Sequence, residues 1–169
     1  MLSFVIAFSI EDSHPHILLW GSFEECRKFR DYYEDISSRC IARRRGSLDG
    51  VTLHCELYEV NETSYLRNVA AYTIIQATKD GKNVMPYDYL YGTGSLYFRS
   101  GRYTLPWMID DNGSIVRPIC FRELSERQKR LLCGSTSRIP DDWLICNGFI
   151  LPTNYVDITR FEEIYRTHN

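Results

Sequence analysis

Short apolar segments separated by turn residues alternate along this sequence with longer stretches in which apolar residues recur every three or four positions. The first pattern is typical of β-hairpins, and the second is typical of helices that bury one face. Residues 2–10 and 16–20 are apolar segments on either side of the polar turn 11–15, so we predict that they form an opening hairpin. A second hairpin is predicted at 143–151, because Asn147-Gly148 suits a two-residue type I′ turn.

Two long amphipathic helices are predicted between the hairpins. Ser22 and Glu25 have the spacing of a capping box, in which each residue satisfies a backbone N–H of the other. We predict that the helix beginning there ends near residue 37. A second helix is predicted over 63–79, and shorter ones are predicted over 125–132 and near the end of the chain.

Two further hairpins are predicted in the middle of the chain, one pairing 39–45 with 51–60 and one pairing 95–99 with 102–107. Residues 51–58 alternate between apolar and polar side chains, as a half-buried antiparallel strand does. With 169 residues, the chain is long enough to bury a core without disulfides or metals. We therefore predict a single α+β domain over 1–169, mainly an antiparallel sheet built of hairpins with three to four amphipathic helices packed on it.

Charge and cysteine content exclude several classes of protein. The net charge is −2, which argues against a nucleic-acid partner and gives no reason to expect attraction to a membrane surface. The six cysteines form no C-x-x-C pair, and the N-terminal apolar run lacks the basic flank and cleavage site of an export signal. We therefore expect a cytoplasmic protein with reduced thiols.

No motif predicts a catalytic, cofactor or metal site. His14 and His16 flank a proline in a predicted turn, without further ligands at a defined spacing. The pairs Asp110-Asp111 and Asp141-Asp142 have the chemistry to bind Mg²⁺ or to act as acid and base, but adjacent aspartates are also common in turns. We expect no cofactor and no bound metal.

The absence of a site, the twelve tyrosines and the acidic turns favour a non-catalytic module that binds a protein partner. An immunity or inhibitor protein that neutralises or regulates its partner, such as a toxin, has these properties. The expected contact residues are aromatic or acidic and lie in loops or at strand ends. They are Tyr87, Tyr89, Tyr91, Asp110, Asp111, Asp141, Asp142 and Trp143.

Two alternatives remain open at this point. A small metal-dependent hydrolase or nuclease would assemble its site from scattered residues, namely His14, His16, His54 and the aspartate pairs. An obligate subunit of a larger assembly would bury its exposed tyrosines and tryptophans against other subunits.

Overall fold

Two antiparallel strands form the centre of the fold, and helices and loops pack around them. The computed structural model describes residues 4–11, 14–47, 49, 53–79, 84–98, 105–133 and 139–166. Along these residues the strands are β1 (Phe4–Ile10), β2 (Pro15–Trp20), β3 (Ile119–Cys120), β4 (Leu144–Cys146) and β5 (Phe149–Ile150). The helices are α1 (Phe23–Arg45), α2 (Thr63–Lys79), α3 (Gly94–Tyr97), α4 (Glu126–Cys133) and α5 (Ile158–Tyr165). The predicted opening hairpin is confirmed, since β1 and β2 pair from Phe4 opposite Trp20 to Ile10 opposite Pro15.

The main core lies between the β1–β2 hairpin and two helices, α2 and α5. Buried apolar residues at helical spacing on α2 and α5 meet residues of the two strands. This cluster comprises Ile6, Ala7, Leu18, Ala70, Ile74, Phe161 and Ile164. Tyr97 closes one side of it, because its ring stacks on Phe161 with centroids 3.5 Å apart and its hydroxyl donates to the Ile6 carbonyl.

β1 is covered on its second edge by two loops rather than by another strand. Ser9 forms an antiparallel bridge with Gly92, and Val5 forms a parallel bridge with Val156. Thr93 fixes the first of these loops, because its hydroxyl accepts a hydrogen bond from the Phe8 amide at 3.0 Å. Beside it, α3 begins at Gly94, where a Cβ would lie 2.2 Å from the Pro86 carbonyl oxygen. Only glycine fits that close an approach of two backbones.

A second, smaller sheet contains the last three strands in the order β3-β4-β5, all antiparallel. The predicted hairpin at its end is confirmed. Asn147 and Gly148 have positive φ angles of 48° and 78°, as a type I′ turn requires. The Asn147 side-chain amide also donates to the carbonyls of Trp107 and Ile109, which holds the turn against the neighbouring loop.

Helix α1 begins where the capping box predicts, and Ser22 and Glu25 make both of its reciprocal hydrogen bonds. The prediction that it ends near residue 37 and that 39–45 forms a strand is wrong. The helix continues to Arg45 and ends at Gly46, which has the left-handed conformation of a helix cap. The last turn holds three arginines, Arg43, Arg44 and Arg45, where positive charge is favoured by the helix dipole.

Three other predicted strands, 51–60, 95–99 and 102–107, are not found in their described parts. Residues 53–60 carry no strand assignment although their side chains alternate in exposure from 53 to 58, and 51–52 lie outside the described residues. Residues 94–97 form the short helix α3, and 106–108 form a 3-10 turn, so the described parts of the predicted hairpin at 95–107 are wrong. The fold class is confirmed as α+β, with small antiparallel sheets built of hairpins and with helices packed against them.

Candidate binding groove

A groove of about 760 Å³ runs along the outer side of β2, and we call it the β2 groove. Four parts of the chain line it: β2 with its flanking residues, the first half of α1, residues 54–61, and the first two thirds of α2. The lining residues are 14–21, Phe23, Cys26, Phe29, Arg30, Tyr33, 54–61, Tyr65, Leu66, Val69, Tyr72 and Thr73.

The groove runs along backbone edges rather than over one face of a sheet. Side chains of an extended segment alternate between two faces, so a groove over one face would touch every second residue. Here every residue from 14 to 21 lines the groove, and so does every residue from 54 to 61. The groove therefore lies between the edge of β2 and a second extended segment.

Both of these edges are open within the part of the chain that the structure describes. β2 pairs with β1 alone. Residues 53–61 make no backbone–backbone hydrogen bond to any described residue. Sheet edges in soluble proteins are usually guarded by a charge, a proline or a bulge. In β2 the one proline is its first residue, Pro15, and the strand carries no Lys, Arg, Asp or Glu. The irregularity of the hairpin lies in β1, between Val5 and Ala7.

Aromatic side chains form much of the groove surface. Tyr58 is 76% exposed and Tyr65 is 57% exposed, so their rings lie largely in solvent. Phe29 and Tyr33 stack on each other on successive turns of α1. Two further rings at the margins of the groove make cation–π contacts: Arg160 lies over Trp20, and Lys79 lies over Tyr72. Exposed aromatic residues that line one concave surface are typical of binding sites.

Three histidines line the same groove, and the hydrolase alternative places these three in one site together with the aspartate pairs. The rings of His14 and His16 lie 4.7 Å apart, and His16 contacts Tyr72 edge-on. His54 lies on the opposite wall, where its Nε2 is 3.3 Å from a Glu56 oxygen. Among the described residues, no group of three or more His, Cys, Asp or Glu side chains is placed to hold a metal ion.

The groove's thiols are poor nucleophiles. Burial raises the pKa of Cys26, and the nearby Glu25 carboxylate adds to the effect. Burial also raises the pKa of Cys55, with Glu34 contributing in the same direction. Both thiols therefore stay protonated at neutral pH, and attack by a cysteine requires the thiolate.

Charge in the groove is concentrated on the wall formed by 54–61. The Tyr58 hydroxyl donates to Glu56 and, with His54, lowers the pKa of that carboxyl, so Glu56 is ionised at neutral pH. Glu59 lines the same wall and is exposed. Arg30 supplies the one Lys or Arg among the described lining residues, and its guanidinium is hydrogen-bonded to Asp31 at 2.9 Å. The wall is therefore anionic.

The contact residues expected from the sequence lie outside this groove. Tyr91 is exposed and contacts Phe149 of β5, whereas Tyr87 is half-buried. Tyr89 is 7% exposed, and its hydroxyl donates to the Ile10 carbonyl, so it packs in the interior. Trp143 is half-buried with its ring 5.9 Å from that of Tyr155.

The acidic turns lie at the two ends of β4. Asp141 and Asp142 precede the strand and are exposed. At the other end, the loop containing Asp110 is held by Asn147, through its hydrogen bond to the Ile109 carbonyl. Asp110 Oδ1 accepts hydrogen bonds from the amides of Asn112 and Ser114, so this carboxylate organises its own turn, while Asp111 is exposed. Neither pair lines the β2 groove, so the histidines and aspartates do not form one site.

Sequence reasoning missed the groove because its walls are distant in the chain. The sequence carries one signal for it, since segment 51–60 alternates as a strand does while its predicted partner, 39–45, is part of α1. An extended segment without a partner marks an open edge.

No protein-family model, curated protein or solved structure matches the chain. Within the described ranges, no helix has the length and apolar character needed to cross a membrane.

Proposed function

We propose that this protein is a non-catalytic protein-binding module, of the immunity or inhibitor type, which neutralises or regulates its partner through the β2 groove. The observation that carries the proposal is that one groove combines exposed aromatic rings with two backbone edges that have no strand partner among the described residues. Aromatic residues that become desolvated in a pocket dominate the energy of protein interfaces. The protonated thiols also favour binding over nucleophilic chemistry.

The acidic turns have a separate role in this proposal. Asp111, Asp141 and Asp142 are exposed and lie away from the groove, so we assign them to electrostatic steering of a basic partner. Charges at the rim of an interface mainly change the association rate. Tyr91 is exposed and contacts Phe149, whereas Tyr89 contributes to the interior.

The test is an affinity capture with matched tyrosine variants. The tagged protein is co-expressed with the products of neighbouring genes, and proteins that remain bound after a salt wash are identified by mass spectrometry. Tyr65→Ser removes a ring from the groove, and Tyr32→Ser removes a ring that is 64% exposed on α1 but does not line the groove.

We expect a stoichiometric partner whose affinity falls at least tenfold with Tyr65→Ser and changes less than twofold with Tyr32→Ser, as for a buried aromatic anchor. If Tyr65→Ser and Tyr32→Ser lower the affinity for the partner equally, the partner binds outside the β2 groove. A protein that is insoluble alone and soluble only with its partner would instead identify an obligate subunit.

A hydrolase remains the second candidate, because His14, His16 and His54 line one groove. This alternative predicts turnover of a nuclease or esterase substrate that is lost with His16→Ala in a folded protein. A metal-dependent form of the activity would also be lost on addition of EDTA. Activity that survives both changes would exclude the groove histidines as its source.

A further inference from the structure

We propose that the β2 groove binds an extended segment of a partner protein as an added β-strand on β2, and that this segment carries Lys or Arg between apolar residues. This inference rests on the proposed function and names the mode of binding and the chemistry of the partner. It is argued from the open edge, from the length of that edge and from the charge of the opposite wall.

The open edge favours a peptide backbone over a compact ligand. An edge strand presents alternating N–H and C=O groups in the plane of the sheet, and an added strand pairs with them about 4.8 Å away. Among the described residues β2 pairs with β1 alone, and every residue of β2 lines the groove. The facing segment 54–61 offers a second row of backbone groups, which make no backbone hydrogen bonds to described residues.

The length of β2 sets the length of the bound segment. β2 has six residues, so at about 3.3 Å per residue it spans about 20 Å. A partner strand of five to seven residues fits that span.

The charge of the groove defines the side chains of the partner. Glu56 and Glu59 lie on the wall opposite β2, while β2 itself carries no charged residue. The exposed rings of Tyr58 and Tyr65 lie in the same groove. A Lys or Arg side chain of the partner is attracted both by carboxylates and by the faces of aromatic rings. The apolar residues between these cations would pack against the aromatic rings of the groove.

The charge of the groove also disfavours a second copy of this chain as the occupant. Two copies joined edge to edge would place one β2 against the other, as an isologous dimer does. β2 contains no Lys or Arg, so a second β2 brings no partner for Glu56 and Glu59.

The experiment uses three synthetic peptides on the isotope-labelled full-length protein. The first alternates Val and Lys over nine residues, and the second replaces every Lys with Glu. The third is the Val–Lys peptide with two adjacent central amides N-methylated, which blocks both edges of a strand because neighbouring N–H groups point to opposite sides. Binding is followed by nuclear magnetic resonance, together with amide hydrogen exchange of β2, up to millimolar peptide.

We expect the Val–Lys peptide to slow amide exchange in β2, the Val–Glu peptide to bind at least fivefold more weakly, and the N-methylated peptide to lose binding at least tenfold. Leu19→Lys places a charge on the edge and should abolish binding. Its matched control is Ile119→Lys, on an exposed apolar residue of β3, the edge strand of the other sheet. Glu59→Gln should weaken the Val–Lys peptide about two- to fivefold, as expected for an exposed ion pair.

Equal binding of the N-methylated peptide would overturn strand addition, and this arm does not depend on how well Leu19→Lys folds. Equal binding of the Val–Glu peptide would overturn the charge assignment. A dimer of the free protein that Leu19→Lys dissociates would reassign the edge to a second copy. A partner complex that loses affinity with Tyr65→Ser but not with Leu19→Lys would retain the proposed function and overturn strand addition alone.

Discussion

Replacing Thr93 with Val removes a hydroxyl that joins a loop to the central strand. Thr93 is 0% exposed. Its hydroxyl accepts from the Phe8 amide at 3.0 Å and donates to the Phe8 carbonyl at 3.2 Å. Val has nearly the same shape, so the substitution opens no cavity. It leaves the Phe8 amide in the interior without this acceptor, while the Phe8 carbonyl keeps the Thr93 backbone N–H at 3.0 Å.

The expected loss of stability comes from that single Phe8 amide. A buried donor left without a partner costs about 1–3 kcal/mol, so we expect the free energy of unfolding to fall by about 2 kcal/mol. For a domain of this size, a urea m-value of about 2 kcal/mol/M converts this loss into a shift of about 1 M in the midpoint. The assay is equilibrium urea unfolding followed by circular dichroism.

Thr159→Val is the matched control, because Thr159 is exposed on α5. It should change the free energy of unfolding by less than about 0.5 kcal/mol. If Thr93→Val and Thr159→Val have the same effect, the Phe8 amide does not depend on Thr93, and the account of how this loop is held against β1 is wrong.

Three further predictions concern other parts of the molecule. Gly94→Ala places a Cβ 2.2 Å from the Pro86 carbonyl oxygen. The backbone must move, so thermal unfolding should show a loss of about 1–3 kcal/mol; an unchanged melting temperature would contradict this packing. The Ser22 backbone N–H, followed by its hydroxyl, lowers the pKa of Glu25 from 4.5 to about 2. The carboxylate therefore contributes its full stabilisation above pH 4.5 and loses it as the pH falls toward 2. Urea midpoints measured from pH 6 to 2 should show this loss in the wild type and a smaller one in Glu25→Gln. Combined Asp111→Asn, Asp141→Asn and Asp142→Asn removes the three exposed charges assigned to steering, while Asp110 keeps the hydrogen bonds of its turn. Association with a captured partner, measured by stopped flow at low salt, should slow severalfold with little change in the dissociation rate; an unchanged association rate would remove the acidic turns from the interface.

Signals between near neighbours in the sequence were sufficient to predict several helices and turns. The helix predicted over 63–79 is found as Thr63–Lys79, because its apolar spacing alone defines it. Ser22 with Glu25 and Asn147 with Gly148 fix a helix start and a hairpin turn through contacts between near neighbours. Signals of this kind do not depend on the rest of the fold.

The end of α1 was not predictable from the same signals. The helix does not stop at the predicted residue 37, because the Ser38 hydroxyl donates to the Glu34 carbonyl at 2.7 Å and is satisfied inside the helix. Arg39 pairs with Asp35 one turn earlier, which stabilises the continuation. Once 39–45 is helical, the alternating segment that follows loses its predicted partner.

The candidate site was the least predictable part. Periodicity indicates which side chains of a segment share a face, but not whether another strand pairs with it. Composition showed an excess of tyrosine without distinguishing those in the core from those in solvent. Tyr89 is buried, whereas Tyr58 and Tyr65 are exposed in the groove, and only the long-range arrangement separates them.

Amide hydrogen exchange of the protein, free and in complex with its captured partner, tests the β2 groove most directly. In the free protein, residues 53–60 should exchange fast, because their backbone makes no hydrogen bonds to described backbone groups. In the complex, residues 53–60 and β2 should both become protected. Protection confined to the acidic turns at 110–111 and 141–142, with the groove unchanged, would contradict the assignment of the groove as the binding site.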